Sequence, residues 1–425
     1  MASPSKGAFG RSLCVRYPTG STCPKSGPEW PFGRHGYRKK DRMLAVGIAA
    51  LAVATWLYLI LARGGFWLCA QRDRREPDRP AAWPTVAIVI PARNEAAGIA
   101  ATVTSLLGQD YAGPWTIILV DDDSSDGTGD LARQSAAALA SEHRLDVVRG
   151  APLPAGWTGK LWAVKQGVAH AQSAAVPPAF ILLSDADIVY EPDVLSDLVT
   201  RAVNRKLVLT SLMVKLRCES FAERSLVPAF IFFFQMLYPF AWVNRPDSGT
   251  AAAAGGCMLV RSDALQRAGG IGAIRNALID DCSLAKLMKA QGPIWLGLTG
   301  RAFSTRPYPH LDDIRRMVAR SAYAQLRYSP LLLAGTVAGM ALTYLAPPLL
   351  AVFASGVAQW LGLLAWALMA LAFQPTLRLY GRSPMWGAGL PGIALCYMLF
   401  TLDSALQFTR GRGGLWKGRV QAMEP

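Results

Sequence analysis

The residues best suited to chemistry form an acidic run, DDDSSDGT, at positions 121–128. It follows the apolar stretch 115–119, which predicts a buried strand of a parallel sheet. Ligands bind at the carboxyl ends of strands in open α/β sheets, where a carboxylate accepts hydrogen bonds from a base or ribose. Capping of the next helix accounts for one Asp or Ser, but not for four carboxylates in six residues. Asp121 and Asp122 are therefore candidate nucleotide contacts.

The same loop has the spacing of a calcium-binding EF-hand. Asp122, Ser124 and Asp126 would be its first ligands, and Gly127 would be its turn residue. The twelfth position of such a loop requires a bidentate Glu, whereas this sequence has Arg133 there. A calcium loop is therefore excluded, and a nucleotide site remains.

A second acidic pair, Asp185 and Asp187, follows the apolar run 180–184. Two carboxylates separated by one residue at a strand end point to the same side of the chain. Such oxygen ligands hold Mg²⁺ or Mn²⁺ and leave coordination positions for phosphate oxygens. A solvated turn is the alternative. Because an apolar strand directly precedes the pair, we predict a divalent metal at these two residues.

A glycine and a lysine open a predicted helix at positions 159–171. The amino end of a helix and a lysine side chain both attract anions, so Lys160 is a candidate diphosphate contact. The GxxxxGK[ST] pattern of a Walker A loop is absent, and an ordinary exposed lysine is the alternative.

Two later segments add candidates for the same site. Gly255 and Gly256 end a loop of small residues, which lets a backbone approach a ligand closely, although tight helix packing would use the same composition. Asp280 and Asp281 begin a predicted helix. Asp280 is its candidate N-cap, and Asp281 is a candidate general base.

These residues need a scaffold that brings distant loops together. Apolar runs predict strands at 85–90, 115–119, 145–148, 180–184 and 207–214, with helix-like segments between the earlier ones. Alternation of strand and helix is typical of a doubly wound α/β fold with a mostly parallel sheet.

Long apolar segments predict a membrane protein. Hydrophobic residues make up 52% of the chain, and the mean hydropathy is +0.23. Residues 43–62 contain no charge over 20 positions, which is enough to cross a hydrocarbon core of roughly 30 Å. Comparable segments follow at 331–354, 357–373 and 388–402. The aromatic stretch 226–243 contains two prolines and is predicted to be interfacial or part of the catalytic core.

The net charge of +15 invites a nucleic-acid interpretation, but the basic residues are placed differently. They crowd beside the apolar segments, at Arg63, Arg72, Arg74, Arg75, Arg315, Arg316, Arg320 and Arg327. This pattern suits the anionic cytoplasmic leaflet of a membrane, so we expect no nucleic-acid partner. The seven cysteines have no CxxC or metal-ligand spacing, which predicts free thiols in a reducing compartment.

The composition divides the chain into five parts. They are a disordered extension 1–42, a transmembrane helix 43–62, a catalytic domain 80–330, a transmembrane region 331–408 and a basic tail 409–425. Met43, directly before the first apolar segment, is an alternative start.

The basic residues also predict the topology. Those that flank the catalytic domain place it in the cytoplasm. Three further full spans would leave the basic tail outside, so we expect one segment within 331–408 not to cross fully, at Pro347-Pro348 or Pro391, and the tail to be cytoplasmic.

Six short motifs occur in the order found in family 2 glycosyltransferases, which the sequence resembles over residues 85 to about 330. They are PARNE (91–95), VDDDSSDGT (120–128), TGK (158–160), SDAD (184–187), GGCMLVR (255–261) and IDDCSL (279–284). The resemblance implies a GT-A fold, a nucleotide-sugar donor such as a UDP-sugar, and Mg²⁺ or Mn²⁺ as cofactor. Its implied donor contacts are Pro91, Glu95, Asp121, Asp122, Lys160 and Asp185, with Asp185 and Asp187 at the metal and Asp281 as catalytic base.

The sequence departs from the family in two places. The family usually has Glu-Asp where this chain has Asp280-Asp281, which keeps the base. Processive members carry a QxxRW motif, whereas Gln325-Leu326-Arg327-Tyr328 is one residue short and ends in Tyr, which argues against polymer synthesis. The implied contacts on the acceptor or diphosphate side are Gly255, Gly256, Asp280, Gln325, Arg327 and Tyr328.

Longer segments, including GWTGKLWA, LRCESFAER and FFFQMLYPFAWVN, resemble the hopanoid-biosynthesis-associated glycosyltransferases of bacteria. This resemblance implies a polycyclic lipid acceptor and an enzyme of the bacterial inner membrane. The expected reaction is one displacement with inversion, in which Asp281 takes the proton of the acceptor hydroxyl. The alternatives are another lipid or polysaccharide glycosyltransferase and a non-catalytic membrane scaffold, although a scaffold predicts loss of the acidic residues, which are all present.

Overall fold

The computed structural model of the protein describes residues 39–411 and two short paired strands, Leu415–Trp416 and Arg419–Val420. The predicted disordered extension lies outside the described residues except for positions 39–42, which form the first turn of a helix. Most of the basic tail also lies outside them. The cysteines within residues 39–411 are all free thiols.

Within residues 39–411, eight strands form one sheet. They are β1 (Val86–Ala92), β2 (Trp115–Asp121), β3 (Leu145–Arg149), β4 (Phe180–Ser184), β5 (Ile188–Tyr190), β6 (Leu209–Lys215), β7 (Cys257–Arg261) and β8 (Ile294–Ser304). The order is β3-β2-β1-β4-β7-β6-β8-β5. The first half is parallel, whereas β7 is antiparallel to both of its neighbours and β5 is antiparallel to β8. The predicted mostly parallel α/β fold is confirmed.

Helices pack against this sheet and also continue outside it, where the long apolar ones contact one another. They are α1 (Lys39–Leu61), α2 (Ile99–Leu107), α3 (Thr128–Ala138), α4 (Gly159–Gln172), α5 (Val194–Asn204), α6 (Phe221–Leu237), α7 (Phe240–Val243), α8 (Ser262–Arg267), α9 (Asp280–Lys289), α10 (Leu311–Ala319), α11 (Ala322–Gln325), α12 (Pro330–Met340), α13 (Ala346–Phe353), α14 (Val357–Leu379) and α15 (Leu390–Thr409). Strand β1 is buried along its whole length because successive side chains point to opposite faces of the sheet, and each face packs against a different apolar cluster. Ile88 and Ile90 pack with α2 and α5, and Val89 packs with α4.

The strand register brings the predicted loops to one edge of the sheet. Ala92 at the end of β1 pairs with Asp121 at the end of β2, and Val89 pairs with Leu183 near the end of β4. The loops that carry Glu95, Asp122 and Asp185 therefore leave the sheet side by side.

Four helical stretches are long and apolar enough to cross a membrane: Lys40–Leu61, Pro330–Phe353, Val357–Leu379 and Leu390–Thr409. The second includes Pro347-Pro348 without a break, because a π-helical turn at 341–345 precedes the prolines. Pro347 has no N–H for the carbonyl of Thr343 four residues earlier, and the Trp56 indole nitrogen donates to that carbonyl instead at 2.9 Å.

Helix α6, from the aromatic stretch predicted to be interfacial, lies between the sheet domain and the long apolar helices. A complete capping box starts it, in which Ser220 and Glu223 each accept from the other's backbone N–H. Phe232 contacts Phe66, in the segment that follows α1, and Phe373 of α14. The helix therefore joins the two halves of the protein.

Candidate active site

Lys160 joins the second acidic loop to the start of α9. The N-cap Thr158, whose hydroxyl accepts from Leu161 N, places Lys160 in the first turn of α4. Its ammonium lies 2.9 Å from Asp185 and 3.0 Å from Asp280. Burial alone would lower the pKa of Lys160, but the two carboxylates raise it above its usual range. The side chain is therefore a fixed cation at the carboxyl edge of the sheet.

Asp281 directly follows Asp280 and contacts the loop that contains Gly255. Its two oxygens accept from the backbone N–H groups of Gly255, at 3.1 Å, and Cys282, at 2.7 Å. A Cβ built on Gly255 would lie 3.5 Å from both Lys160 Nζ and Asp281 Oδ2, so both side chains lie close to this glycine. Burial, with the negative charge of Asp280, raises the pKa of Asp281 to about 6. A carboxyl group with this pKa can accept a proton near neutral pH.

Arg306 ties together two predicted residues from different loops. It follows β8 and donates to Glu95 Oε1 at 2.7 Å and to Asp187 Oδ2 at 3.1 Å. Ser304 Oγ donates to the same Asp187 oxygen at 2.8 Å. Arg306 was not predicted as a site residue, because its nearer partner is 119 positions away along the chain and no local pattern marks such a pairing.

The acidic loop 121–128 is held to the end of β1. Asp121 Oδ1 accepts from Ser124 N at 2.9 Å and shapes the turn. Asp122 is buried, with Arg93 Nη1 3.7 Å from its Oδ2. Glu95 N donates to Thr128 Oγ1 at 2.9 Å. The loops after β1 and β2 therefore form one polar wall, as their strand-end positions predict.

A small pocket at this edge brings predicted residues from five segments together. Pro91, Lys160, Asp185, Gly255 and Asp280 all line it. Gly256 instead accepts from Tyr190 Oη at 3.0 Å through its carbonyl, on the sheet side of the loop.

The acidic pair suits a divalent cation that has additional ligands from a substrate. The described contacts of Asp185 use Oδ1, and those of Asp187 use Oδ2, which leaves one oxygen of each. Burial and the nearby charge of Asp187 raise the pKa of Asp185, against the effect of Lys160. Among residues 39–411, no group of three or more His, Cys, Asp or Glu side chains is placed to hold a metal. The pair therefore fits Mg²⁺ or Mn²⁺ only together with phosphate oxygens and water.

The residues at the end of α11 and directly after it lie in two different environments. Gln325 Nε2 donates to Tyr238 Oη at 2.6 Å, close to the start of α9. Tyr328 stacks instead on Phe408 of α15, with ring centroids 4.4 Å apart. Arg327 and Tyr328 both have positive φ, which turns the chain away from the site towards α12. Gln325 thus contacts Tyr238, which caps the carboxyl end of α6, and none of the three candidates is among the residues that line the pocket.

Comparison with known protein families finds a similarity over part of the chain. Residues 87–269 match the family described as Glycosyl transferase family 2. No curated protein sequence matches the chain.

Among solved structures, a mannosyltransferase from Pyrobaculum calidifontis, in complex with GDP-mannose and Mn²⁺, is similar with a TM-score of 0.52 and 18% identity. The match covers 85% of this chain and 99% of that one. A glucosyl-3-phosphoglycerate synthase from Mycobacterium tuberculosis, in complex with Mg²⁺ and UDP, has a TM-score of 0.39 and 20% identity, over 60% and 86% of the two chains. The chain is thus similar to glycosyl transferase family 2 over residues 87–269, and it shares the fold of the mannosyltransferase.

Proposed function

We propose that the protein is a membrane-bound inverting glycosyltransferase that moves a sugar from a nucleotide-sugar to a hydroxyl group of a lipid. The observation that carries the proposal is the arrangement around Lys160, whose ammonium pairs with Asp185 of the acidic pair and with Asp280, the neighbour of Asp281. A diphosphate leaving group needs such a cation, and an attacking hydroxyl needs a base such as Asp281 near the same sugar.

In this proposal the donor lies along the carboxyl edge of the sheet. The base and ribose lie against the wall that contains Glu95 and Asp122, and the diphosphate lies between Lys160 and Arg306. When bound, Mg²⁺ or Mn²⁺ held by Asp185 and Asp187 supplies positive charge to the departing diphosphate. The preorganised cations stabilise the negative charge that develops there, and such electrostatic stabilisation commonly contributes most to the rate enhancement.

Asp281 acts on the acceptor side. Its carboxylate accepts the proton of the acceptor hydroxyl as the oxygen attacks the anomeric carbon from the face opposite the diphosphate. One bond forms as the other breaks, so the configuration at the anomeric carbon inverts. The hydrogen bonds from Gly255 N and Cys282 N hold the carboxylate in place.

The lipid acceptor is proposed from the position of the site beside apolar helices. Tyr238 at the carboxyl end of α6 lies next to the start of α9, and α6 lies against α14. A lipid held in the membrane would present its hydroxyl along this helix. A hopanoid remains our specific suggestion, from sequence resemblance. UDP-sugars are the first donors to test, and GDP-mannose, which is bound in the archaeal structure of the same fold, is the next.

The acid limb of the pH profile tests the role of Asp281. The base works as its carboxylate, so activity is present above its pKa and lost as the pH falls through it. We expect kcat/KM to fall about tenfold per pH unit below about 6. Asp280→Asn removes a like charge and should move this limb to lower pH. A wild-type profile that is flat between pH 5 and 7 would assign the proton transfer elsewhere.

We also propose that α15 does not cross the membrane, so that the tail is cytoplasmic. The end of α14 is near the domain, where Cys69 contacts Thr376 at 3.4 Å. Pro384 and Ala388 then lie beside Gln374 and Trp366, which are still within α14. The chain therefore returns only part of the way along α14 before α15 begins.

The second half of α15 reaches the domain-side helices α10 and α11. Asp403 pairs with Arg315, and Ser404 Oγ accepts from Tyr323 N at 3.0 Å. Half of the apolar window of α15 is buried, against 22–33% in the other three long helices. These contacts favour Pro391 over Pro347-Pro348 as the position of the re-entrant segment.

Alkaline phosphatase fusions test this topology. We expect enzyme activity from a fusion at residue 356, between α13 and α14, and none from fusions at residues 300 and 411. Strong phosphatase activity at residue 411 together with none at residue 300 would mean that α15 crosses.

A further inference from the structure

Two loops of the candidate site lie side by side where strands β4 and β7 pair. Strand β4 ends at Ser184, and β7 begins opposite it in the antiparallel direction. The loop that follows β4 is called the cation loop here (residues 185–187), and the loop that precedes β7 is called the base loop (residues 251–256). The base loop contacts the candidate base directly, since Gly255 N donates to Asp281 Oδ2 at 3.1 Å.

The hydroxyl group of Tyr190, in β5, lies between these two loops. It donates to the carbonyl of Gly256, in the base loop, at 3.0 Å. It also lies 2.7 Å from the hydroxyl oxygen of Ser184, the last side chain before the cation loop. A carbonyl oxygen only accepts, so with the phenol hydrogen on Gly256 the serine is the donor to Tyr190. One hydroxyl group thus joins the two loops.

The contacts around this hydroxyl group are buried and tightly packed. Tyr190 is 4% exposed and Ser184 is 1% exposed. Burial raises the pKa of Tyr190 well above its usual value, so the phenol stays a neutral donor. A Cβ built on Gly256 would lie 3.1 Å from Val214 Cγ2 and 3.3 Å from Ile188 Cδ1. The base loop therefore has little room to shift on the side that faces the sheet.

The direct contact between the two loops is weaker than the contact through Tyr190. Asp185 N donates to Gly256 O at 3.4 Å, which is long for a hydrogen bond of this type. The two bonds of the Tyr190 hydroxyl, at 3.0 and 2.7 Å, have ordinary lengths. The relative position of the loops therefore depends mainly on this side chain.

We propose that Tyr190 is a positioning residue that fixes the distance between the cation loop and the base loop, and so aligns the diphosphate with Asp281. The proposal rests on the proposed glycosyl transfer, because it concerns the two groups on which that reaction depends. Attack from the face opposite the leaving group requires close alignment, and a misplacement of about 1 Å can slow such a step about 10²-fold. No motif indicates this role, since Tyr190 lies in the short strand β5.

Tyr190→Phe removes the hydroxyl group and keeps the ring, and Tyr111→Phe is its matched control. Tyr111 is also buried, but its hydroxyl donates to Pro84 O, at the opposite edge of the sheet. Each loop keeps its own ligands in Tyr190→Phe. We therefore expect kcat to fall about tenfold, while the KM for the donor and the affinity for UDP with Mn²⁺, measured by calorimetry, stay within about twofold of the wild type. Tyr111→Phe should match the wild type in all three quantities.

A double variant separates positioning of the base from a general loss of stability. Asp281→Asn already removes the base, so a residue that acts through Asp281 has little further effect in that background. We expect Tyr190→Phe to slow transfer about tenfold in the wild-type background and by less than about twofold in the Asp281→Asn background. A merely structural role would slow transfer equally in both backgrounds, and that result would overturn the proposal.

Ser184→Ala keeps the test available if Tyr190→Phe fails to fold. It removes the bond on the side of the cation loop and leaves the bond to Gly256. We expect kcat to fall about threefold, with the affinity for UDP and Mn²⁺ unchanged.

The outcomes distinguish this inference from the proposed function. If the wild type transfers sugar, equal kcat values for Tyr190→Phe and Tyr111→Phe would reject the inference alone. A loss of Mn²⁺ affinity in Tyr190→Phe as large as the loss of kcat would also reject it, because the residue would then support only the cation loop. If the wild type transfers no sugar from any donor, the proposed function fails, and this inference fails with it.

Discussion

Replacement of Asp281 by Asn is expected to reduce sugar transfer by about 10² to 10⁴-fold, while nucleotide affinity stays near the wild-type value. Asn keeps the size of the side chain and an oxygen that can accept from Gly255 N or Cys282 N, but it cannot take a proton. The loss should appear in kcat, since the donor contacts of Lys160 and Asp185 remain.

Asp263→Asn is a suitable control for this variant. Asp263 is an exposed carboxylate on α8 that pairs with Arg261 and Arg267, away from the pocket. We expect transfer at the wild-type rate. If Asp281→Asn weakens nucleotide binding as much as it slows transfer, Asp281 belongs to the donor site and the base is another residue.

Removal of the divalent cation is expected to have an effect of similar size. Chelation should abolish transfer, and Mn²⁺ or Mg²⁺ should restore it, because Lys160 and Arg306 are already paired with these carboxylates and a divalent cation would supply the further positive charge that the diphosphate needs. Asp187→Ala should remove both the activity and the binding of Mn²⁺ in the presence of UDP, measured by calorimetry. Full turnover in excess chelator would eliminate the metal from the mechanism.

Arg306 complicates the interpretation of Asp187→Ala, because the variant also removes one of its two carboxylate partners. The double variant Asp187→Ala, Arg306→Ala resolves this. If loss of the metal is the cause, the double variant stays inactive and does not bind Mn²⁺. Recovery of Mn²⁺ binding in the double variant would mean that the released arginine, and not the missing carboxylate, had blocked the site.

The parallel half of the sheet was predictable because its strands are buried on both faces. Such strands are continuous apolar runs, and β1, β2 and β4 lie within one or two residues of the predicted positions. Strands β5 and β8 were not predicted. β5 has three residues, and the apolar first half of β8 is followed by Thr299, the exposed Gly300 and Arg301, which break the pattern.

The site was predictable where its residues directly follow an apolar strand or open a helix. Asp122, Asp185, Lys160 and Asp281 all occupy such positions, and the structure brings their loops to one edge. Arg306 was not identified as a site residue. Its role depends on partners brought close by packing, Glu95 and Asp187, which are 211 and 119 positions away. Local sequence does not encode pairings of this kind.

The long apolar helices were also predictable from local sequence, but their path through the membrane was not. Length and composition predicted the four segments, and the structure has a long helix at each one. Composition alone did not indicate which proline marks the re-entrant segment. The bond from Trp56 to Thr343 O supports the helix at Pro347, whereas no similar signal in the sequence describes the path of α15.

The central claim is transfer of a sugar to a lipid, and intact-mass analysis of lipids tests it most directly. The purified protein would be incubated with isotope-labelled UDP-sugars or GDP-mannose, a divalent cation and a bacterial lipid extract that contains hopanoids. We expect one lipid class to gain a single labelled sugar, with inverted anomeric configuration by NMR, and no product with Asp281→Asn. Release of nucleotide with the label found only in water-soluble products would contradict a lipid acceptor.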